Sequence, residues 1–259
     1  MRAFLNLRYT VPERRAAFAA GLKRLGYQVI CGDTPDPQPG DIFVTWNRIA
    51  AGERVARVFE SRGLPVLVTE NALWGNSFAG DRWYSLARNY HNTADCFPVG
   101  GDDRWDALGV VLAPFRDSGE TVVLPQRGIG SKPTVMPRSW PGDALKRYGG
   151  RIRKHPGQGA AMPLEDDLAG CGRVVTWGSG AAIKALLMGI PVISEMPNWV
   201  GEQDNTDSGR QAMFRRLTWA QWRLSEFESG EAFAWLLDMD WDMPSAAMEA
   251  AKGSKIISN

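Results

Sequence analysis

Cysteine is scarce in this chain. Cys31, Cys96 and Cys171 stand far apart, with no Cys-x-x-Cys pair and no Cys/His spacing of the kind that holds zinc. That pattern excludes a disulfide framework and points to a reduced, cytoplasmic setting. Long apolar runs are missing as well. No segment approaches the ~18 uninterrupted apolar residues of a membrane span. The opening MRAFLNLRYTVPERR has too short an apolar stretch for a secretory signal. Charge of one sign is not in excess either: the formal net charge is +1, so the protein is no polycation. Bulk charge therefore does not imply nucleic-acid binding, although a local basic patch is compatible with it. Lysine is sparse, with 7 against 23 arginines, and arginine suits bidentate contacts to phosphate and carboxylate. A GC-rich coding sequence produces the same skew.

What is present reads as α/β. At 259 residues, 44% of them hydrophobic, the chain can build one large domain or two small ones. Eleven tryptophans suggest aromatic core and domain-contact positions. Strand RAFLNLR is followed by helix PERRAAFAAGLKRLG, with Pro12 at its start and Gly26 at its stop. Strands YQVIC and IFVTWN, helix AAGERVARVFESRG and strand LPVLVTE complete a first alternation. Residues 71–105 show no clean period, as functional excursions and plain surface loops both do. From Glu120 a second alternation runs through TVVLPQ, WPGDALKRYGG, RIRKHP, PLEDDLAGCG, RVVTW, AAIKALLMG and IPVIS. The tail MFRRLTWAQWRLSEFESGEAFAWLLDM reads as helix crossing back onto the other half.

These patterns predict two Rossmann-like, doubly wound halves. They comprise residues 1–108 and 109–232, with a tail of 233–259. A ligand cleft is expected at the carboxyl ends of the strands.

Three segments after strands of the second half carry the chemistry. In TWGSGAAIKALL, Gly178 and Gly180 allow close backbone approach, Ser179 can cap or donate, and the first-turn amides suit a phosphate. A simple tight turn explains the same residues, and the spacing matches neither a P-loop nor GxGxxG. In LPQRGIGS, Arg127 beside Gly128 could hold a phosphate bidentately. In RIRKHPG, a period of two sets Arg151, Arg153 and His155 on one face, with Lys154 between them. Together they suggest a pocket for a diphosphate or another anion. The run Glu165-Asp166-Asp167 is read as an acidic helix start rather than a metal site. No metal or tightly bound cofactor is expected.

The order of RKHP, an acidic helix and VVTWGSGAAIKALLMGIPVIS resembles the C-terminal half of GT-B-fold glycosyltransferases. It is most similar to the capsule-polysaccharide type and to small transferase-like proteins of bacteriophages. The resemblance implies a nucleotide-sugar donor, UDP- or CMP-linked, facing Lys154, His155, Ser179, Gly180 and Ala181, with Arg127 and Gly128 in the first glycine loop. The segment LVTENALWGN…DRWYSLARNYHN resembles the phage group's acceptor region. That implies Glu70, Arg82, Ser85 and Asn89 on the acceptor side. Ala72-Leu73 replaces that group's Gly-Tyr, and Lys184 stands where many retaining members carry a ribose-binding Glu. Base candidates are Glu70, Asp81 and His91.

The implied acceptor is a hydroxymethylated pyrimidine in double-stranded phage DNA, with a cell-surface polysaccharide as an alternative. Transfer of a non-sugar group such as an amino acid or amine, and a non-catalytic nucleotide-binding module, remain open.

Overall fold

The computed structural model describes residues 1–7, 10–32, 36–89, 100–126, 135–155, 162–197 and 199–238. The described chain is α/β with two sheets and divides into two compact units. One contains Met1–Gly100 and the described residues from Thr218 onward; the other is Gly101–Leu217.

The first unit holds β1 (Arg2–Asn6), α1 (Pro12–Arg24), β2 (Gln28–Ile30), β3 (Ile42–Trp46), α2 (Ala51–Ser61), β4 (Val66–Asn71), β5 (Ser77–Phe78) and β6 (Asp81–Arg88). The order β2-β1-β3-β4 is parallel, and β6 then pairs antiparallel with β4. Alternate residues face opposite ways along a strand, and here both faces are covered. Ala3, Leu5, Ile42, Val44 and Leu67 join Phe18 and Leu22 of α1 in one core. Phe4, Phe43, Val66 and Val68 join Ala56 and Phe59 of α2 in another.

The second unit holds α3 (Asp103–Asp106), β7 (Glu120–Leu124), α4 (Trp140–Tyr148), β8 (Arg151–Ile152), α5 (Leu164–Asp167), β9 (Cys171–Thr176), α6 (Ala181–Leu187), β10 (Val192–Ser194) and α7 (Asp207–Leu217). Its sheet is wholly parallel in the order β8-β7-β9-β10. Helix α4 buries Trp140 and Ala144 with Val123 and Val175, and α6 packs on β9 and β10.

The two units repeat one plan, because in each the first strand is flanked by the second and the third, with the fourth beyond the third. Sequence follows the topology. Val44-Thr45-Trp46 closes β3, and Val175-Thr176-Trp177 spans the end of β9. Gly-Leu-Pro-Val (63–66) leads into β4 and Gly-Ile-Pro-Val (189–192) into β10. Register agrees, since Phe43 pairs with Val66 and Val174 with Val192. Asn47 and Gly178, two residues after each threonine, both have positive φ, 64° and 135°.

Four sequence expectations need revision. The irregular stretch after Asn71 contains β6, eight residues long. The run read as one tail helix breaks into α7, a 3-10 turn (Thr218–Ala220), β11 (Gln221–Arg223), α8 (Leu224–Ser229) and α9 (Glu231–Asp238). Glu226 starts α8 by accepting the Arg223 amide at 2.6 Å. Residues 218–232, assigned by sequence to the second half, belong to the first unit: β11 pairs antiparallel with β6, and α8 lies on α1. Gly21 permits that contact, because a Cβ there would meet the Phe227 carbonyl oxygen at 1.8 Å. Phe18 stacks on Phe227 with centroids 4.0 Å apart. The division between units falls at Gly100, not at residue 108.

Candidate functional site

In a parallel sheet whose strand order reverses, ligands collect at the carboxyl edge beside the reversal. In the second unit that point lies between β7 and β9. Val123 pairs with Ile152 on one side and with Val175 on the other, and Leu124 pairs with Thr176. The Arg153 amide continues the ladder to the Val123 carbonyl at 3.0 Å. Gln126, the Arg153–His155 segment and the 177–180 turn therefore leave the sheet side by side. Strand spacing puts the outer two about 10 Å apart. The structure thus brings Lys154 and His155 to the same edge as Ser179, Gly180 and Ala181. Arg127 and Gly128 lie outside the described residues, as does His91.

The turn is tightly tied internally. The Thr176 hydroxyl accepts the Gly178 and Ser179 amides at 3.1 and 2.8 Å and donates to the Leu124 carbonyl at 2.9 Å. Gln126 Nε2 donates to the Gly178 carbonyl at 2.8 Å. Ser179 Oγ accepts the Ala181 amide at 3.3 Å. The Ala182 and Ile183 amides reach the Ser179 and Gly180 carbonyls. The expectation of open first-turn amides is thereby corrected in large part: the Ala181, Ala182 and Ile183 amides are engaged within the chain. Gly178 adopts φ 135°, a conformation that side chains rarely allow, which favours glycine for a reason other than ligand approach. A Cβ there would lie 2.8 Å from Met196 Sδ.

The basic face is divided too. Strand β8 ends at Ile152, so the predicted alternation does not run on to His155. Arg153 is 8% exposed, and its Nε faces Asp167 Oδ2 at 2.5 Å while Nη2 donates to the Met162 carbonyl. Arg151 takes the other Asp167 oxygen at 2.7 Å and Glu120 at 2.8 Å. Arg153, expected among the phosphate ligands, is instead neutralised by the acidic helix start. Lys154 is exposed and forms no ion pair with the described residues, whereas His155 is half-buried. Lys184 lies 3.6 Å from Glu165. Two of the three carboxylates of the acidic run thus face cations. Among the described residues, no group of three or more His, Cys, Asp or Glu is arranged to hold a metal.

Sequence reasoning passed over Glu195, just beyond β10. Its carboxylate accepts from Trp140 Nε1 at 2.7 Å and Tyr148 Oη at 2.9 Å, and pairs with Arg147. Burial pushes this carboxyl up, but the hydrogen bonds from Trp140 and Tyr148 and the Arg147 charge hold it below its ordinary range. Its position at a strand end was the available signal.

The acceptor-side residues do not gather at one point. Glu70 sits half-buried at the carboxyl end of β4, its amide donating to Ser85 Oγ at 3.2 Å. Ser85 itself is fully buried, between Glu70 on one strand and Gln221 on the other, and does not reach an acceptor from there. Because β6 runs antiparallel to β4, Arg88 pairs with Leu67, so Asn89 emerges at the opposite edge of the sheet from Glu70. At ~3.4 Å per residue, Arg82 and Asn89 stand roughly 20 Å or more apart. Arg82 pairs with Glu13, and Asp81 with Arg223 at 2.9 Å. The Asn89 carbonyl accepts from Arg48, which also holds Glu53 and Glu60. Ala72, Leu73 and Trp74 form a buried turn, with the Leu73 amide bonded to Gln221 Oε1.

No helix among the described residues is long and apolar enough to cross a membrane. In comparisons with known proteins, the chain matches no family model and no curated protein sequence. A solved structure of ligand-free aspartate transcarbamoylase from Trypanosoma cruzi is similar at 13% identity, over 88% of this chain and 82% of that one, with a TM-score of 0.25. A likeness at that score informs neither fold nor activity here.

Proposed function

We propose that the protein is a glycosyltransferase-like enzyme that takes a nucleotide-activated sugar at the carboxyl edge of its second sheet. One observation carries the reading. The parallel register lines up Gln126, Lys154, His155 and Ser179 beside the strand-order reversal. With the Gly178, Ser179, Ala181, Ala182 and Ile183 amides engaged within the chain, side chains do most of the holding: Lys154 and His155 face the diphosphate, and the Ser179 hydroxyl donates to it. The first unit takes the acceptor, a hydroxymethylated pyrimidine in phage DNA.

In the reaction the acceptor hydroxyl attacks the anomeric carbon, and the bond from that carbon to the diphosphate oxygen breaks. The proton passes to a base, for which Glu70 is the candidate at a strand end, and the nucleoside diphosphate leaves with its charge held by the cations. A second reading, a nucleotide-binding module without transfer, draws support from the Asp81–Arg223 pair, which engages one base candidate, and from the buried Ser85, which removes one acceptor-side group.

Isothermal titration with UDP, CMP and their sugars tests the first step. Lys154→Ala and His155→Ala should each weaken binding about tenfold, roughly the worth of one charged contact. Absence of nucleotide binding, or unchanged affinity in both variants, refutes the assignment. Incubation with hydroxymethylated DNA and mass analysis of its nucleosides separates transfer from binding alone.

A further inference from the structure

The third strand of each sheet carries a fully buried threonine at its carboxyl end, Thr45 next to last in β3 and Thr176 last in β9. A hydroxyl offers one hydrogen and two acceptor sites, and Thr176 uses all three. It donates to the Leu124 carbonyl of the neighbouring strand and accepts the amides of Gly178 and Ser179. Two successive peptide groups are thereby fixed to the first strand of the sheet. Thr45 is engaged differently. It donates to the Asn47 carbonyl at 3.0 Å and accepts from Asn6 Nδ2 at 3.2 Å, and the turn it holds is further fastened by Arg48 to Glu53 and Glu60. In the second unit small residues, Gly178-Ser179-Gly180, take the place of Asn47-Arg48-Ile49. No side chain among Gly178-Ser179-Gly180 forms ion pairs as Arg48 does, and the hydrogen bonds that reach this turn from the sheet come from Thr176 and Gln126.

We propose that Thr176 is a positioning residue of the second unit's site. It holds the 177–180 turn so that the Ser179 hydroxyl stands in the row with Gln126 and Lys154. Polar groups bind well only when their supports are locked, and here one buried hydroxyl ties two successive peptide groups of the turn. The inference rests on the nucleotide reading above and adds the residue that shapes the site without touching the ligand. Thr45 supplies a control, because it precedes the matching turn by the same two residues and is equally buried, in the unit that takes no nucleotide.

The test compares full-length wild type, Thr176→Val, Thr176→Ser and Thr45→Val, at a temperature where circular dichroism shows all four folded. UDP is titrated calorimetrically. Thr176→Val, which keeps the shape and loses the hydroxyl, should bind about tenfold more weakly or worse. Thr176→Ser, which keeps the hydroxyl, should stay within about threefold, and Thr45→Val within about twofold despite a lowered unfolding midpoint. Hydrogen exchange on the wild type without nucleotide should show the Gly178 and Ser179 amides protected.

Rapid exchange at those two amides overturns the proposal even if Thr176→Val does not fold. So does wild-type affinity in Thr176→Val, or an equal loss in Thr45→Val, which would mark general destabilisation. Wild-type protein that binds no nucleotide refutes the functional reading, and the positioning role falls with it. Normal wild-type binding with an unaffected Thr176→Val refutes the positioning role alone.

Discussion

Asp167 is the residue whose removal best separates a structural cation cluster from a ligand-binding one. Its two oxygens face Arg153 at 2.5 Å and Arg151 at 2.7 Å. The Asp167 side chain is 17% exposed and that of Arg153 8%. Asp167→Ala leaves the Arg153 guanidinium buried without its counter-charge. Breaking one side of a buried pair costs about 3–5 kcal/mol. Residual exposure and the second partner of Arg151, Glu120, reduce the expected loss to about 2–4 kcal/mol. For a unit of this size that is a fall in unfolding midpoint of roughly 8–16 °C.

Urea unfolding followed by tryptophan fluorescence reads the change, since Trp105, Trp140 and Trp199 are buried in the same unit. The loss should persist in 0.5 M salt, where an exposed pair would be screened. Arg153→Met combined with Asp167→Leu should recover most of it, because apolar replacements of a buried pair are often neutral. A loss below about 0.5 kcal/mol, the scale of surface pairs, would refute the reasoning. So would Arg153→Ala protein that keeps wild-type stability but loses nucleotide affinity; Arg153 would then be the phosphate ligand that the sequence suggested.

Gly178→Ala should destabilise by about 2–4 kcal/mol, combining a backbone at φ 135° with the contact on Met196. Adding Met196→Ala relieves only the contact, so a double variant as stable as the Met196→Ala single in urea melts would disprove backbone strain. Asp41, 3% exposed in its side chain, accepts from Arg2 and from the Gln38 amide. Burial pushes its carboxyl up, but the Arg2 and Gln38 hydrogen bonds outweigh this and hold it below the ordinary value. The folded-state pKa being depressed, its stabilisation is present above the unfolded value near pH 4 and fades as pH falls through the folded one. The stability gap between wild type and Asp41→Asn should therefore shrink below about pH 4 in pH-dependent urea melts; a gap constant from pH 7 to 2.5 would contradict this.

The alternating α/β plan was legible because β1, β3, β4, β7 and β9 are apolar runs bounded by Gly, Pro or helix-start residues. Strand β6 was not, since Trp83 through Ala87 are all buried and a strand covered on both faces shows no period of two. The short β11 hid inside a helix-like pattern for a related reason: Gln221 and Trp222 are fully buried, and a three-residue strand leaves no periodicity to read. At the site, spacing along the chain located the turns, and strand direction decided which residues met. Lys154 and Ser179 converge through parallel pairing, while antiparallel pairing sends Asn89 away from Glu70. Nothing local could show that Asp167 would absorb Arg153 or that Thr176 would occupy the turn amides. The Val-Thr-Trp and Gly-x-Pro-Val repeats were present in the sequence, and comparing the chain with itself would have found them.

The chain leaves the first unit at Gly100 and returns at Thr218. Phe18 and Leu22 of α1 therefore wait for Phe227 and Phe233, more than two hundred positions downstream. On the ribosome the Gly101–Leu217 stretch emerges whole before its host can close, so the unit begun first is finished last. Premature stops near residue 217 would strip one apolar flank from the amino-terminal sheet while sparing every strand of the inserted one, and such fragments should go to chaperones or proteases through their front half.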